Sequence, residues 1–109
     1  MSHSLYFMEK NKMQNIIIDF SNVTDRDDIH EILIEALSLP SYYGKTLDAL
    51  YDLASTMFIA KETEITLRGF NNLPEDLRKY GRKIQTIFVR VAHELAHGQD
   101  GSMMILNID

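Results

Sequence analysis

The apolar positions of this chain fall into stretches with two different periods. Ile16-Ile17-Ile18-Asp19-Phe20 is a short β-branched run, which predicts a buried strand. Ile29, Ile32, Leu33, Ala36 and Leu37 then recur at helical spacing and predict a helix over about residues 25–38. Thr24, just ahead of Asp25, Asp27 and Asp28, is read as its N-cap, and the acids complement the positive end of the helix. Pro40 closes the element, because the residue before a proline is pushed out of the helical region. A second stripe, Leu47, Leu50, Leu53, Ala54 and Met57, predicts a helix over about 45–57. Its opposite side carries Asp48, Asp52, Ser55 and Thr56, with Tyr51 on the boundary.

Glu64-Ile65-Thr66-Leu67-Arg68 alternates as a strand does. Asn72 is placed to cap a short helix with Pro74 in its first turn, where a missing N–H is harmless. A longer helix is expected from about Gly81 to His97, with Ile84, Ile87, Phe88, Val91 and Leu95 on its core face and Gly98 as its stop. Met103-Met104-Ile105-Leu106 supplies the last strand. The order βααβααβ, with strands separated by helical crossovers, predicts an α/β domain: a small three-stranded parallel sheet packed with about four helices. No internal repeat or linker interrupts it, so residues 14–109 are read as one domain. Residues 1–13 are read as a flexible tail, polar in character and holding the alternative starts Met8 and Met13.

Charge and composition narrow the function. Sixteen acidic against eleven basic residues give a formal charge of −5. That disfavours direct nucleic-acid binding, which draws on clustered Lys and Arg, and favours a basic protein partner. With no cysteine there is neither a disulfide nor a thiol nucleophile. No apolar run approaches the ~20 residues of a membrane span, and Met1 to Lys12 lacks the apolar stretch of a signal peptide. The expectation is therefore a cytoplasmic protein away from membranes.

Asp48 and Asp52 carry the chemistry. Asp48 stands in a first helical turn, where the positive end of the helix stabilises it. Asp52 lies beyond that reach and has no Lys or Arg three or four residues away. Like charges at this spacing cost an isolated helix roughly 0.2–0.5 kcal/mol. A fold gains nothing from such a pair, which points to a positively charged partner.

Around these acids, Leu39-Pro40-x-Tyr42-Tyr43-Gly44-x-x-Leu47-Asp48-Ala49-Leu50-Tyr51-Asp52 resembles the barstar family of ribonuclease inhibitors. In outline the likeness extends over about residues 15–108. The resemblance implies a protein inhibitor, not an enzyme and without a cofactor, that binds a basic, extracellular-type ribonuclease or a related toxin domain one to one, itself a monomer when free. Asp52 then matches the anion that stands in for a substrate phosphate, and Asp48 a second charged contact. Tyr42 matches an aromatic that packs on the enzyme's catalytic histidine, with Gly44 a backbone contact beside it. The implied contact surface comprises Tyr42, Tyr43, Gly44, Thr46, Leu47, Asp48, Tyr51, Asp52, Ser55 and Glu94. Departures also stand out. Tyr51 and Met57 fall where the family's best-known member has tryptophan, Arg90 lies near an expected acidic contact that only Glu94 could replace, and Lys45 adds a cation to the turn. These imply a nuclease other than the best-known basic one.

Two rival readings come from other classes. His93-Glu94-Leu95-Ala96-His97 spells H-E-x-x-H, the zinc-hydrolase helix motif, in which His93 and His97 would be the ligands. Its context is poor: the pair is predicted on the side away from the core, and the G-x-x-H continuation is replaced by Gly98-Gln99-Asp100. A solvated helix end with Glu94 paired to Arg90 is the simpler expectation. The third reading is an interaction module of the same fold with a partner that is not a nuclease. His3 and His30 are read as isolated.

Overall fold

The structure, a computed structural model, describes residues 13–98 and 101–109. The expected tail lies outside these residues except for Met13. Strand β1 (Gln14–Asp19) is followed by helices α1 (Arg26–Leu37) and α2 (Leu47–Met57), strand β2 (Glu62–Arg68), a 3₁₀ turn (Phe70–Asn72), helix α3 (Glu75–Ala96) and strand β3 (Met103–Ile108). The three strands form one parallel sheet in the order β1-β2-β3, with Ile16 opposite Ile65 and Ile65 opposite Leu106. Parallel neighbours cannot be joined by a hairpin, so each connection must travel over the sheet, and here each carries helix.

Alternation in the strands sets which face the helices take. Ile16, Ile18, Ile65 and Leu67 are buried beneath Ile29, Leu33, Leu50, Ala54, Ile84, Phe88 and Val91. On the opposite face Ile17 is 54% exposed and Ile105 39%. Among the described residues this parallel sheet is covered on one side, whereas most such sheets are covered on both. No helix of the described residues is long and apolar enough to cross a membrane.

The cap of α1 is one residue later than the pattern predicts. Asp25 is the N-cap: its carboxylate accepts from the Asp28 N–H at 2.9 Å, and Asp28 accepts from the Asp25 N–H at 3.3 Å. This reciprocal box satisfies two orphan amides, which one threonine hydroxyl cannot do. Thr24 instead donates its hydroxyl to Asp28 at 2.6 Å, and this bond holds the Asp28 carboxyl below its usual 3.8.

Among the described residues there are three α-helices, where about four were expected. The predicted short helix near Asn72 is a 3₁₀ turn with no side-chain cap, and the longer helix expected from about Gly81 begins at Glu75. Pro74 is the N-cap of a single helix that runs through Gly81 to Ala96. Gly81 lies inside this helix and is there for space. A Cβ at this position would stand 2.6 Å from Leu73 Cδ1 and 3.1 Å from Phe70 Cε1. Its bare backbone lets the 3₁₀ turn close onto the helix.

His30, isolated in sequence, is 1% exposed on α1 and bonded at both ring nitrogens. Nδ1 lies 2.7 Å from the Tyr43 hydroxyl and Nε2 2.6 Å from the Tyr80 hydroxyl. A neutral imidazole has one donor and one acceptor nitrogen, so one tyrosine accepts from the ring and the other donates to it. This bridge joins α1, the turn before α2, and α3. Burial lowers the His30 pKa below 6.5 against the opposing pull of Asp27, with Lys45 and Arg26 adding to the lowering. Burial also pushes the Tyr43 phenol up to about 12.

Two outcomes follow from this packing. Gly69 has φ +85°, and a Cβ would meet the Ser21 backbone nitrogen at 2.7 Å. Gly69→Ala will therefore lower unfolding free energy by about 1–3 kcal/mol, read as a drop in the urea midpoint at unchanged slope. For His30, the unfolded chain takes up a proton near pH 6.5 while the folded chain resists it. Stability present at neutral pH will accordingly decline as the pH falls from about 7 towards 5. His30→Gln will flatten that part of the thermal-midpoint profile. Asp19 and Asp28, both held below 3.8, act only in more acidic solution.

Candidate functional site

The turn between α1 and α2 sorts its two tyrosines by direction. Ser38 ends α1 in the left-handed region at φ 52°, and Leu39 turns inward, 7% exposed, with its N–H bonded to the Ile34 carbonyl at 3.1 Å. A bond of 2.9 Å from the Tyr43 N–H to the Pro40 carbonyl closes the turn. Tyr43 is 7% exposed and held by His30, whereas Tyr42 is 79% exposed. Tyr43 was expected on the contact surface; the structure buries its side chain. Its ring belongs to the core and its hydroxyl is occupied, so it braces the turn that presents Tyr42.

Gly44 is exposed and its φ is not positive. A Cβ added there would come no nearer than 4.0 Å to its closest neighbour, Ala49 Cβ. Neither packing nor backbone conformation requires glycine at this position. Lys45 takes the left-handed conformation at φ 53° and sends its Nζ to Glu31 Oε1 at 2.6 Å. Both ends of that pair are largely in water, so it is worth little energetically. It does, however, draw the cation of the turn back towards α1.

Thr46 caps α2, accepting from the Ala49 N–H at 3.1 Å, so the helix starts at Leu47 and not at Lys45. Leu50 and Ala54 are fully buried, and Leu47, Leu53 and Met57 are half-buried beside them. The acids point the other way. Asp48 and Asp52 are both exposed, and the ion pairs among the described residues, Lys45–Glu31, Arg68–Asp109 and Arg90–Glu94, include neither. Ser55, half-buried, gives its hydroxyl to the Asp52 carbonyl at 3.0 Å. The structure thus gathers Tyr42, Gly44, Asp48 and Asp52 along one continuous edge, the turn and the water-facing side of α2.

Tyr51 and Glu94 meet across the two helices. The Tyr51 hydroxyl lies 2.7 and 2.8 Å from the two carboxylate oxygens of Glu94, the Arg90 guanidinium sits 4.9 Å above the ring, and Arg90 reaches Glu94 at 3.8 Å. The bond to Glu94 is the main cause that raises the Tyr51 pKa. Glu94 is thus occupied within the chain. His93 and His97 are exposed at the end of α3, with ring centroids 4.3 Å apart and His97 Nδ1 2.9 Å from the His93 carbonyl oxygen. Among the described residues no group of three His, Cys, Asp or Glu side chains is placed to hold a metal ion.

Two features escaped the sequence reading. The burial of His30 had a signal: it precedes Leu33 and Leu37 by three and seven residues, which puts it on the apolar stripe of α1. The other feature is a groove beside Asp48 and Tyr51, walled by Lys79, Arg82 and Lys83 of α3. Their spacing along one helix face was the available signal.

Comparison with known proteins bears on the whole arrangement. A Bacillus subtilis (strain 168) protein named "Putative ribonuclease inhibitor YrdF" is 29% identical over 83 residues, covering 76% of this chain and 90% of that protein. The sequence model of the family described as Barstar (barnase inhibitor) matches residues 13–108, nearly the full length of the chain. With the parallel sheet, the α1–α2 turn and the acidic helix in place within that span, this chain belongs to the barstar family.

Proposed function

We propose that this protein inhibits a small ribonuclease, or a nuclease toxin domain, by covering its active site with α2 and the turn before it. The observation that carries the reading is the pair Asp48 and Asp52: exposed, four residues apart on a buried-backed helix, and free of ion pairs with described residues. A cleft that binds a polyphosphate chain offers cations stripped of much of their water, and two carboxylates on a rigid helix supply the missing negative charge. Side chains on an ordered helix lose less freedom on binding than those of a loop. Tyr42 extends the covered surface with an apolar ring, and Gly44 lets the partner's backbone approach closely. The family name and the name borne by the Bacillus relative support a ribonuclease as the partner.

Occlusion needs no bond chemistry. The inhibitor acts in the cytoplasm as a monomer, one molecule per nuclease, and its charge of −5 speeds encounter with a basic enzyme. Asp52 is the central anion and Asp48 the supporting one. Glu94 contributes by fixing Tyr51 at the margin.

The test is a calorimetric titration against a panel of basic ribonucleases and toxin domains. For the nuclease bound most tightly, Asp52→Ala will weaken the complex by about 2–5 kcal/mol, with no comparable change in unfolding free energy. Unchanged affinity would remove Asp52 from the interface. Protein dialysed against a chelator will contain well under one zinc per chain and inhibit as before; stoichiometric metal after that treatment would return the His93–His97 motif to consideration.

A further inference from the structure

Lys79, Arg82, Lys83 and Arg90 lie on one face of α3, and with half-buried Leu47, Tyr51 and Ile87 they line a groove of about 530 Å³. Arg90 is engaged by the Tyr51 ring and Glu94. Lys79, Arg82 and Lys83 are exposed and take part in no ion pair among the described residues. Three like charges within about one turn of helix repel, so folding gains nothing from them. Like Asp48 and Asp52, but with the sign reversed, they call for a partner of opposite charge. Asp48 also stands on the rim of this groove, so the acidic edge of α2 and the basic wall of α3 adjoin.

A partner that covers α2 reaches this wall. If it were uniformly basic, its own cations would face Lys79, Arg82 and Lys83, a repulsion that rejects it. Resting on the inhibitor reading, we propose that the cognate nuclease carries an acidic segment beside its cationic cleft, seated in the α2–α3 groove against Lys79, Arg82 and Lys83 while the cleft takes Asp48 and Asp52. The contact is then between two bipolar surfaces in matching register, which selects one nuclease among many basic ones. A nucleic-acid strand fits the groove less well. Asp48 and the net charge of −5 oppose a phosphate chain, and the Tyr51 face on which a base would stack is covered by Arg90.

The test uses the isotope-labelled full chain, an oligoglutamate peptide and an oligouridylate as probes, and amide shifts in NMR at low salt. The peptide will shift the amides of Leu47, Lys79, Lys83 and Ile87, and added salt will reverse the shifts. In the variant Lys79→Gln/Arg82→Gln/Lys83→Gln, half-saturation will need about tenfold more peptide. Since these side chains are exposed, the amide spectrum will otherwise report an intact fold. Asp52→Ala will leave the peptide titration unchanged. Absence of shifts, tighter binding of oligouridylate, or shifts that follow protein concentration alone (self-association) would each overturn the proposal. Should the peptide fail while Asp52→Ala abolishes inhibition, this inference falls and the plug stands. Should the peptide bind while Asp52→Ala leaves nuclease affinity intact, the plug is what falls.

Discussion

The position of the whole site depends on one buried imidazole. His30 spends both ring nitrogens on tyrosine hydroxyls from opposite directions, Tyr43 in the turn and Tyr80 on α3. A buried ring with a free nitrogen would suffer an uncompensated desolvation cost, so each hydroxyl also satisfies a group the core could not otherwise tolerate. The geometry this fixes is local and specific. Tyr43 is drawn in, its neighbour Tyr42 must then face out, and α2 begins at a set point relative to α1 and α3. Burial lowers the pKa of this histidine, and hydrogen bonds to its two nitrogens anchor the turn.

A second constraint comes from the sheet. Parallel pairing of β1 with β2 obliges the chain to cross over, and the crossover consists of α1, the turn and α2. The outward side of α2 is thereby held at the surface by residues that are themselves fully buried, Leu50 and Ala54. Acids on a loop would be held less firmly. Here a rigid backing holds them in place, and across the groove α3 presents its cations on an equally fixed element.

How much of this was readable beforehand varied with the kind of signal. The strands, α1 and α2 were legible because their apolar residues form short runs or a helical stripe. Asp48 and Asp52 were legible as a local like-charge pair. The long helix was expected to begin near Gly81 after a separate short one, whereas that glycine lies within a single helix and admits Phe70 and Leu73, a contact made by a segment outside the helix. Thr24 and Asp25 both fit a cap, and only the reciprocal bonds with Asp28 decide between them. Tyr43 and His30 were missed as a pair for the same reason. Thirteen residues separate them in the chain, and no periodicity links a turn tyrosine to a helix histidine. The link between Tyr51 and Glu94 spans forty-three residues and is equally silent in sequence.

The division of labour between Tyr42 and Tyr43 has an evolutionary consequence. Leu39, Tyr43, Leu50 and Ala54, which hold the turn and α2 against the core, face inward, while Tyr42, Asp48, Asp52, Lys79, Arg82 and Lys83 face water. Drift at these outward positions leaves the interior untouched. Successive generations can therefore retune which counterpart is recognised by swapping surface letters on a constant frame, without passing through an ill-folded ancestor.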